Sequence, residues 1–187
     1  MRQRASAGYT LVELLLVVAI LSIVAVVAIP SSSPVDAFRV DAAAGEVALA
    51  LRHARDEAKR TGQPHLLDCQ RPLNRIAVHL VETDKDISSK ATTPVIDPAS
   101  GAAYALAPDT SPALSQMTIA SCVFVFADNT SATGVVFDAA GNPVRGIGRG
   151  PARTAALRSG TVIVGTGNAG RRILLDTSGR ITTDQNF

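Results

Sequence analysis

Residues 8–30 read GYTLVELLLVVAILSIVAVVAIP, and the reading of this stretch decides the fold. From Tyr9 to Ile29 the run is 21 residues long, interrupted only by Thr10, Glu13 and Ser22. At 1.5 Å of rise per residue such a helix extends roughly 31 Å, matching a hydrocarbon core of about 30 Å. Arg2 and Arg4 precede it with no acidic residue near them, which favours a cytoplasmic N-terminus. A secretory signal needs a shorter apolar stretch followed by a small-residue cleavage site, whereas this run ends in Ile29-Pro30. A plain membrane anchor leaves Glu13 unexplained, because a carboxylate in lipid costs about 2.5–3.5 kcal/mol on insertion scales and needs a partner.

Working outward, Ser31-Ser32-Ser33-Pro34 reads as a break or unwound hinge. Ser33 suits a helix cap, Pro34 the first helical position, and Asp36 stands three residues after Ser33. Val40, Ala44, Val47, Leu51, Ala54 and Ala58 then recur at steps of four and three, the signature of an amphipathic helix. Arg52–Asp56 and Asp56–Arg60 are expected as i,i+4 pairs on its outer side, worth a few tenths of a kcal/mol each. Gly62 and Pro64 end it. Short β-type runs come next, near His65–Gln70, Arg75–Val81, Thr118–Ala127, Gly134–Asp138, Thr161–Val164, Arg171–Asp176 and Arg180–Thr183. Between them, residues 84–117 carry Pro94, Pro98, Pro108 and Pro112 among Ser, Thr and Ala, and read as a long surface loop. The expected organisation is a leader over residues 1–8, an apolar helix over 9–30, a hinge and amphipathic helix over 31–63, and a globular domain over 64–187. The fold class is α+β: a lollipop with a long N-terminal hydrophobic helix, an amphipathic helix and a C-terminal antiparallel β-sheet domain.

The formal net charge is +2, and Arg2 with Arg4 supply both units, so the rest of the chain is balanced. That excludes a uniformly basic nucleic-acid binder. The balance is uneven, however: residues 139–187 hold seven arginines against Asp176 and Asp184, and the part before them carries the compensating acidic excess. Cys69 and Cys122 leave two readings open. They form a disulfide, as an oxidising compartment allows, or remain two unpaired core thiols.

The motifs that look chemical have blander explanations. Gly165-Thr-Gly167-Asn-Ala-Gly170 fits G-x-G-x-x-G, but a dinucleotide site needs a helix N-terminus next. Gly170 is succeeded by Arg-Arg-Ile-Leu-Leu-Asp, which reads as a strand, so a glycine-rich hairpin is expected. Gly146-Ile-Gly148-Arg-Gly150 has no P-loop lysine. His53, on the helix surface, and His65 and His79, in strand-like runs, show no metal-ligand spacing. Asp138 to Asn142 lacks the alternating oxygen ligands of an EF-hand. There is no G-x-S-x-G elbow, and nothing marks Cys69 as a nucleophile. No catalytic residue, cofactor or metal site is expected.

The short basic leader ending in Gly8, then Tyr-Thr-Leu-Val-Glu, then an unbroken apolar helix resembles the type IV prepilin signature. The resemblance implies that a membrane aspartyl peptidase cuts between Gly8 and Tyr9, and that Tyr9 is then N-methylated. Glu13 becomes the fifth mature residue. Tyr9 stands where the family often has phenylalanine, and Pro30 falls where many pilins have a helix-bending proline. The implied role of Glu13 is assembly: the cut exposes an α-amine, cationic at neutral pH, which lies beside the Glu13 of a neighbouring subunit. Each charge neutralises the other where an unpaired one would be costly.

Farther on, FRVDAAAGEVALALRHARDEAKRTGQPHLLDC, VVFDAAGNPV and RRILLDTSGRI look like the GspH/FimT branch of pilin-like proteins. That branch holds minor pseudopilins of type II secretion and minor pilins of type IV pili. It implies a single-pass protein of the bacterial inner membrane, with a cytoplasmic N-terminus and a periplasmic globular domain. The implied partners are other pilin-like subunits, the prepilin peptidase/methyltransferase, an inner-membrane assembly platform and membrane lipid, with no cofactor. Some minor pilins of this branch bind DNA during uptake through a C-terminal Gly-Arg-x-Arg element. Here the matching place reads Gly179-Arg180-Ile-Thr182, without the second arginine. Arg171, Arg172 and Arg180 remain as DNA-binding candidates, and DNA uptake remains the alternative to secretion.

Overall fold

The structure is a computed structural model that describes residues 10–28, 33–81, 93–148, 154–166 and 169–185. The chain divides into two units, Met1–Pro34 and Val35–Phe187.

In the first unit, helix α1 covers Leu11–Ala28. Its apolar residues go all the way round, and neither Gly nor Pro interrupts them. Ser22 donates its hydroxyl to the Val18 carbonyl at 2.7 Å, so this polar group is satisfied within the helix. Eighteen residues extend about 27 Å, and among the described residues no helix is long and apolar enough to cross a membrane. Tyr9 and Ile29, the ends of the apolar run, lie outside the described residues, as do Ser31 and Ser32 of the expected hinge.

Helix α2 covers Ser33–Thr61, with Pro34 in its first turn, where a missing N–H costs nothing. All six residues of the expected stripe are buried, and Ala43, Ala48 and Ala50 widen it. The helix stops at Gly62, whose φ of +65° suits the left-handed turn that closes helices. Its outer ion pairing differs from expectation: Arg60 grips Glu57, with Nε at 2.8 Å and Nη2 at 2.5 Å, rather than Asp56. The guanidinium fork finds both carboxylate oxygens at i,i+3, and this hydrogen bonding holds the Glu57 carboxyl below its usual range.

The globular unit has two sheets. The first holds β1 (His65–Gln70), β2 (Arg75–Leu80), β3 (Thr93–Pro94), β4 (Ala105–Leu106), β7 (Gly134–Phe137) and β8 (Pro143–Val144). Their order is β3-β2-β1-β7-β8, with β4 also on β2. The second holds β5 (Thr118–Phe126), β6 (Ser131–Ala132), β9 (Leu157–Thr166), β10 (Ala169–Leu175) and β11 (Ile181–Gln185), in the order β11-β10-β9-β5-β6. Every pairing is antiparallel.

One core joins the α2 stripe to Leu67, Ile76, Val78, Val135 and Phe137 of the first sheet and to Phe124, Phe126, Leu157, Val162, Val164, Ile173 and Leu175 of the second. In β5 simple alternation from Ile119 would turn Ser121 inward. A bulge between these two residues shifts the phase, so that Cys122, Phe124 and Phe126 point into the core instead. Gly160 makes room for Phe124, whose ring would stand 2.7 Å from a Cβ there. Cys69 of β1 and Cys122 of β5 are joined by a disulfide with Cα atoms 6.4 Å apart, which ties one sheet to the other.

The expected surface loop over 84–117 is not a loop across its described part. β3 and β4 add to β2, and Val95, Ala107, Leu114 and Met117 are buried. Ser111, 3 % exposed, donates its hydroxyl to Glu46 of α2. Asn74, left-handed at φ 48°, closes the 3-10 turn Arg71–Leu73. Its carboxamide donates to the Met117 carbonyl at 2.7 Å and accepts the Ile119 N–H at 2.7 Å. The alanines and prolines of this segment are apolar enough to pack once such anchors hold the backbone. β9 is likewise longer than the expected Thr161–Val164, because its ladder with β5 continues through Ser159 to Leu157.

Candidate functional site

The expected cleavage point, Gly8–Tyr9, lies outside the described residues, which begin at Thr10. Thr10 caps α1. Its hydroxyl oxygen accepts the Glu13 N–H at 3.3 Å, and its carbonyl accepts the N–H groups of Glu13 at 3.1 Å and Leu14 at 3.2 Å. Thr10-Leu-Val-Glu13 thus has the spacing of a capping box, legible in the sequence and missed there. It fixes Glu13 in the first turn, where a carboxylate is favoured by the positive end of the helix dipole. Around this charge, nine large apolar side chains between Leu11 and Leu21 are 46–75 % exposed. Burying each is worth about 1.5–3 kcal/mol, so the helix is built to be covered by lipid or by other helices.

The two cysteines and two of the three histidines are engaged in structure. Cys69 and Cys122 share their disulfide. His53 is not on an open helix surface as expected: its ring stacks on Tyr104 with centroids 4.2 Å apart and planes 16° off parallel. The packed 93–117 segment brings Tyr104 there. His65 is buried and shares a 2.7 Å hydrogen bond between Nδ1 and the Gln63 carbonyl, while burial pushes its pKa down. Burial also pushes His79 down. Among the described residues no group of three His, Cys, Asp or Glu could hold a metal ion. Gly165 pairs with Gly170 across the β9–β10 hairpin, and β10 rather than a helix comes next, so the glycine-rich phrase has no anion-binding helix terminus.

The candidate arginines do not gather. Arg171 and Arg172 are adjacent on β10 and therefore point to opposite faces. Arg171 is paired with Asp41 of α2, and Arg172 stands across the ladder from Asp184 on β11. Arg180 lies 3.3 Å from Asp176. Farther off, Arg145 pairs with Asp128 at 2.9 Å, and Arg158 donates to Asn129 at 3.0 Å. Among the described residues, Arg145, Arg158, Arg171 and Arg180 thus find acceptors in the same chain.

Arg55 of α2 was not singled out by sequence. It donates from Nε to the Gly141 carbonyl and from Nη2 to the Ser178 carbonyl, each at 3.2 Å. These carbonyls sit in two turns of like sequence, Asp138-Ala-Ala-Gly141-Asn142 and Asp176-Thr-Ser-Gly179-Arg180. In each, the aspartate accepts two backbone N–H groups: those of Ala140 and Asn142, or those of Ser178 and Arg180. The repeated Asp-x-x-Gly was the available signal.

Comparisons with known proteins bear on both units. Residues 3–29 match the prokaryotic N-terminal methylation motif. The fold is similar to that of the minor pseudopilin EpsH from the type 2 secretion system of Vibrio cholerae. That similarity has a TM-score of 0.50 at 10 % identity, and covers 79 % of this chain and 97 % of that one. The type IV minor pilin FimU of Pseudomonas aeruginosa also aligns, at a TM-score of 0.48 and 15 % identity over 83 % of this chain and 92 % of that one. Comparison with curated proteins gives no match. The chain carries a prokaryotic N-terminal methylation motif in front of a pilin-like α+β fold.

Proposed function

We propose that this chain is a minor pilin-like subunit of the GspH/FimT branch, serving the periplasmic filament of a type II secretion system. A prepilin peptidase cuts it after Gly8, Tyr9 is N-methylated, and the apolar run holds it in the inner membrane with the globular unit in the periplasm. A polytopic platform protein of that membrane assembles it with other pilin-like subunits. The single observation that carries this reading is a carboxylate, Glu13, fixed in the first turn of a helix that is apolar on every side. Such a charge is tolerated in an apolar bundle only beside an opposite one, and the α-amine exposed at Tyr9 of a neighbour supplies it. The role in this reading is structural; in keeping with it, Cys69 and Cys122 are bonded, His53 stacks on Tyr104 and His65 is hydrogen-bonded.

The test has two arms. Gly8→Leu is expected to leave an uncut precursor by mass spectrometry, whereas the parent loses its leader. Glu13→Ala is expected to be cut normally yet fail to enter filaments; filament entry at the parental level would remove the proposed role.

The second reading, a minor type IV pilin that takes up DNA, rests on the arginine-rich C-terminal part. Against it, Arg171 and Arg180 each engage a carboxylate and Arg172 faces one, so phosphate would have to displace these partners. The Val35–Phe187 unit is expected to leave duplex DNA unshifted on a gel at moderate salt. A shift that weakens with added salt and with Arg172→Ala would favour uptake.

A further inference from the structure

Arg75 opens β2. Arg55, Arg71, Arg145, Arg158, Arg171 and Arg180 each donate to an acceptor of this chain. The Nε of Arg75, by contrast, is shut off from solvent and has no hydrogen-bond partner among the described residues. A buried donor left unsatisfied costs the desolvation of that group, so its presence needs a reason. Ile76 and Val78 belong to the core, so Arg75 and Ala77 face the other side of the first sheet. There Arg75 lines a hollow of about 550 Å³ with Ala103, Ala105, Ala107, Pro108 and Asp109. The three alanines alternate along the β4 segment, and their small side chains leave the floor low. Leu73, 64 % exposed, lines this hollow and also a second one of about 420 Å³ that reaches Gln70 and Thr133.

We propose that this hollow binds an acidic segment of a second protein, whose carboxylate pairs with Arg75 while its apolar neighbours lie on the alanines and on Leu73. The inference is separate from the pilin-like reading: it concerns the outer face of the first sheet and makes no use of α1. Charge complementarity selects the occupant. A guanidinium matches a carboxylate in shape and holds it with two parallel N–H···O bonds. Asp109 lines the same hollow, is exposed and makes no ion pair with Arg75. Its charge opposes a phosphate dianion more than a single carboxylate. The apolar floor also offers a surface for hydrocarbon, which phosphate lacks. The backbone of the β4 segment is closed to a docking strand here: the Thr110 hydroxyl accepts the Ala107 N–H and donates to the Ala105 carbonyl, each at 3.0 Å. Recognition therefore falls to side chains, and a carboxylate flanked by apolar residues supplies them. The second hollow beside Leu73 extends the surface beyond one small molecule, which favours a chain segment.

The experiment uses the isotope-labelled full chain in detergent and reads the Nε–H resonance of Arg75 by NMR. Shielding from solvent slows exchange of this proton with water, so the signal is observable. The probe is the peptide acetyl-Ala-Leu-Glu-Leu-Ala-amide, set against its glutamine counterpart and against inorganic phosphate. Titration with the glutamate peptide to millimolar concentration is expected to move the Arg75 signal to saturation, together with the amides of Ala103 and Ala105. The glutamine peptide is expected to bind about tenfold more weakly, the loss of one charge-assisted pair. Equal binding of the two peptides overturns the role of the carboxylate, and no shift by either overturns the site. An equal shift by phosphate overturns the choice of an acidic segment. Arg75→Met keeps an apolar stem and removes the guanidinium. It is expected to melt no lower than the parent, because the donor it removes has no partner, and to bind the glutamate peptide about tenfold more weakly. A lower melting temperature assigns the guanidinium to the fold, and undiminished binding removes it from the site; either result overturns the proposal. Ala103→Leu fills the floor from an exposed position and is expected to weaken the glutamate peptide several-fold while the Arg75 signal stays in place. Binding at the parental level overturns the hollow as the seat of the apolar residues.

Discussion

Arg55 spans the ends of both sheets with one side chain, reaching the β7–β8 turn through Gly141 and the β10–β11 turn through Ser178. Hydrogen bonds from a charged donor are worth about 1.5–3 kcal/mol, and partial exposure at the Ser178 end reduces that. Arg55→Ala is therefore expected to cost about 2 kcal/mol, a fall in melting temperature of roughly 4–8 °C for a unit of this size. Arg55→Lys is expected to recover little, since a point ammonium cannot satisfy two carbonyls held by a planar fork. Calorimetry on the two variants distinguishes this from a generic loss of charge. Two histidines give a second expectation. His65 and His79 are both held below their ordinary pKa by burial, so the unfolded chain binds the proton more readily than the folded one. Stability is then fully present above about pH 6.5 and declines as pH falls below it, because protonation favours the unfolded state. Replacing His65 and His79 by glutamine is expected to flatten the melting temperature between about pH 7 and pH 5.

At the scale of elements, the disulfide and the 93–117 segment do related work, since each holds one part of the globular unit against another. Cys69 and Cys122 are 53 positions apart, and closing a loop of that length constrains the unfolded chain by roughly 4 kcal/mol in the chain-entropy account. Paired Cys69→Ala and Cys122→Ala substitutions are expected to cost about 2–4 kcal/mol in denaturant titration, with the two single variants equally affected, because each leaves the same loop open. The 93–117 segment hangs on Ser111, which donates to Glu46 and accepts the Leu114 N–H at 3.0 Å. Ser111→Ala is expected to raise protease cutting within 93–117 while leaving the strands of the second sheet protected from hydrogen exchange. This segment also marks where sequence reading stopped. The α2 stripe and the longer strands were legible because apolar residues repeat there with a helix or strand period. Strands β3, β4, β6 and β8 are two residues long, and no period can be read from two residues. The packed state of 93–117 depends on Asn74 and Glu46, which are distant in sequence, and His53 was misread for the same reason: Tyr104 reaches it only once the segment docks. Glu13 was found from its incongruity in an apolar run, and Thr10 was available from its spacing to Glu13.

At the scale of the whole molecule, the two units require different surroundings. Every member of the main core lies at Val40 or beyond, so the Val35–Phe187 unit carries its hydrophobic stabilisation within itself. Among the described residues the first unit shows no comparable core: from Leu11 to Leu21 its large side chains are exposed, and its stability depends on what covers it. Cutting the chain before Val35 separates these requirements. The fragment loses Ser33 and Pro34 from the start of α2 but keeps the buried stripe, both sheets and the disulfide. It is expected to stay soluble without detergent, to unfold in one cooperative transition, and to melt within a few degrees of the full chain measured in detergent. A broad transition, or a loss above about 2 kcal/mol in denaturant titration, would mean that α1 contributes to the fold of the globular unit. A single sharp transition leaves α1 free for contacts with other subunits, as the proposed assembly through Glu13 requires.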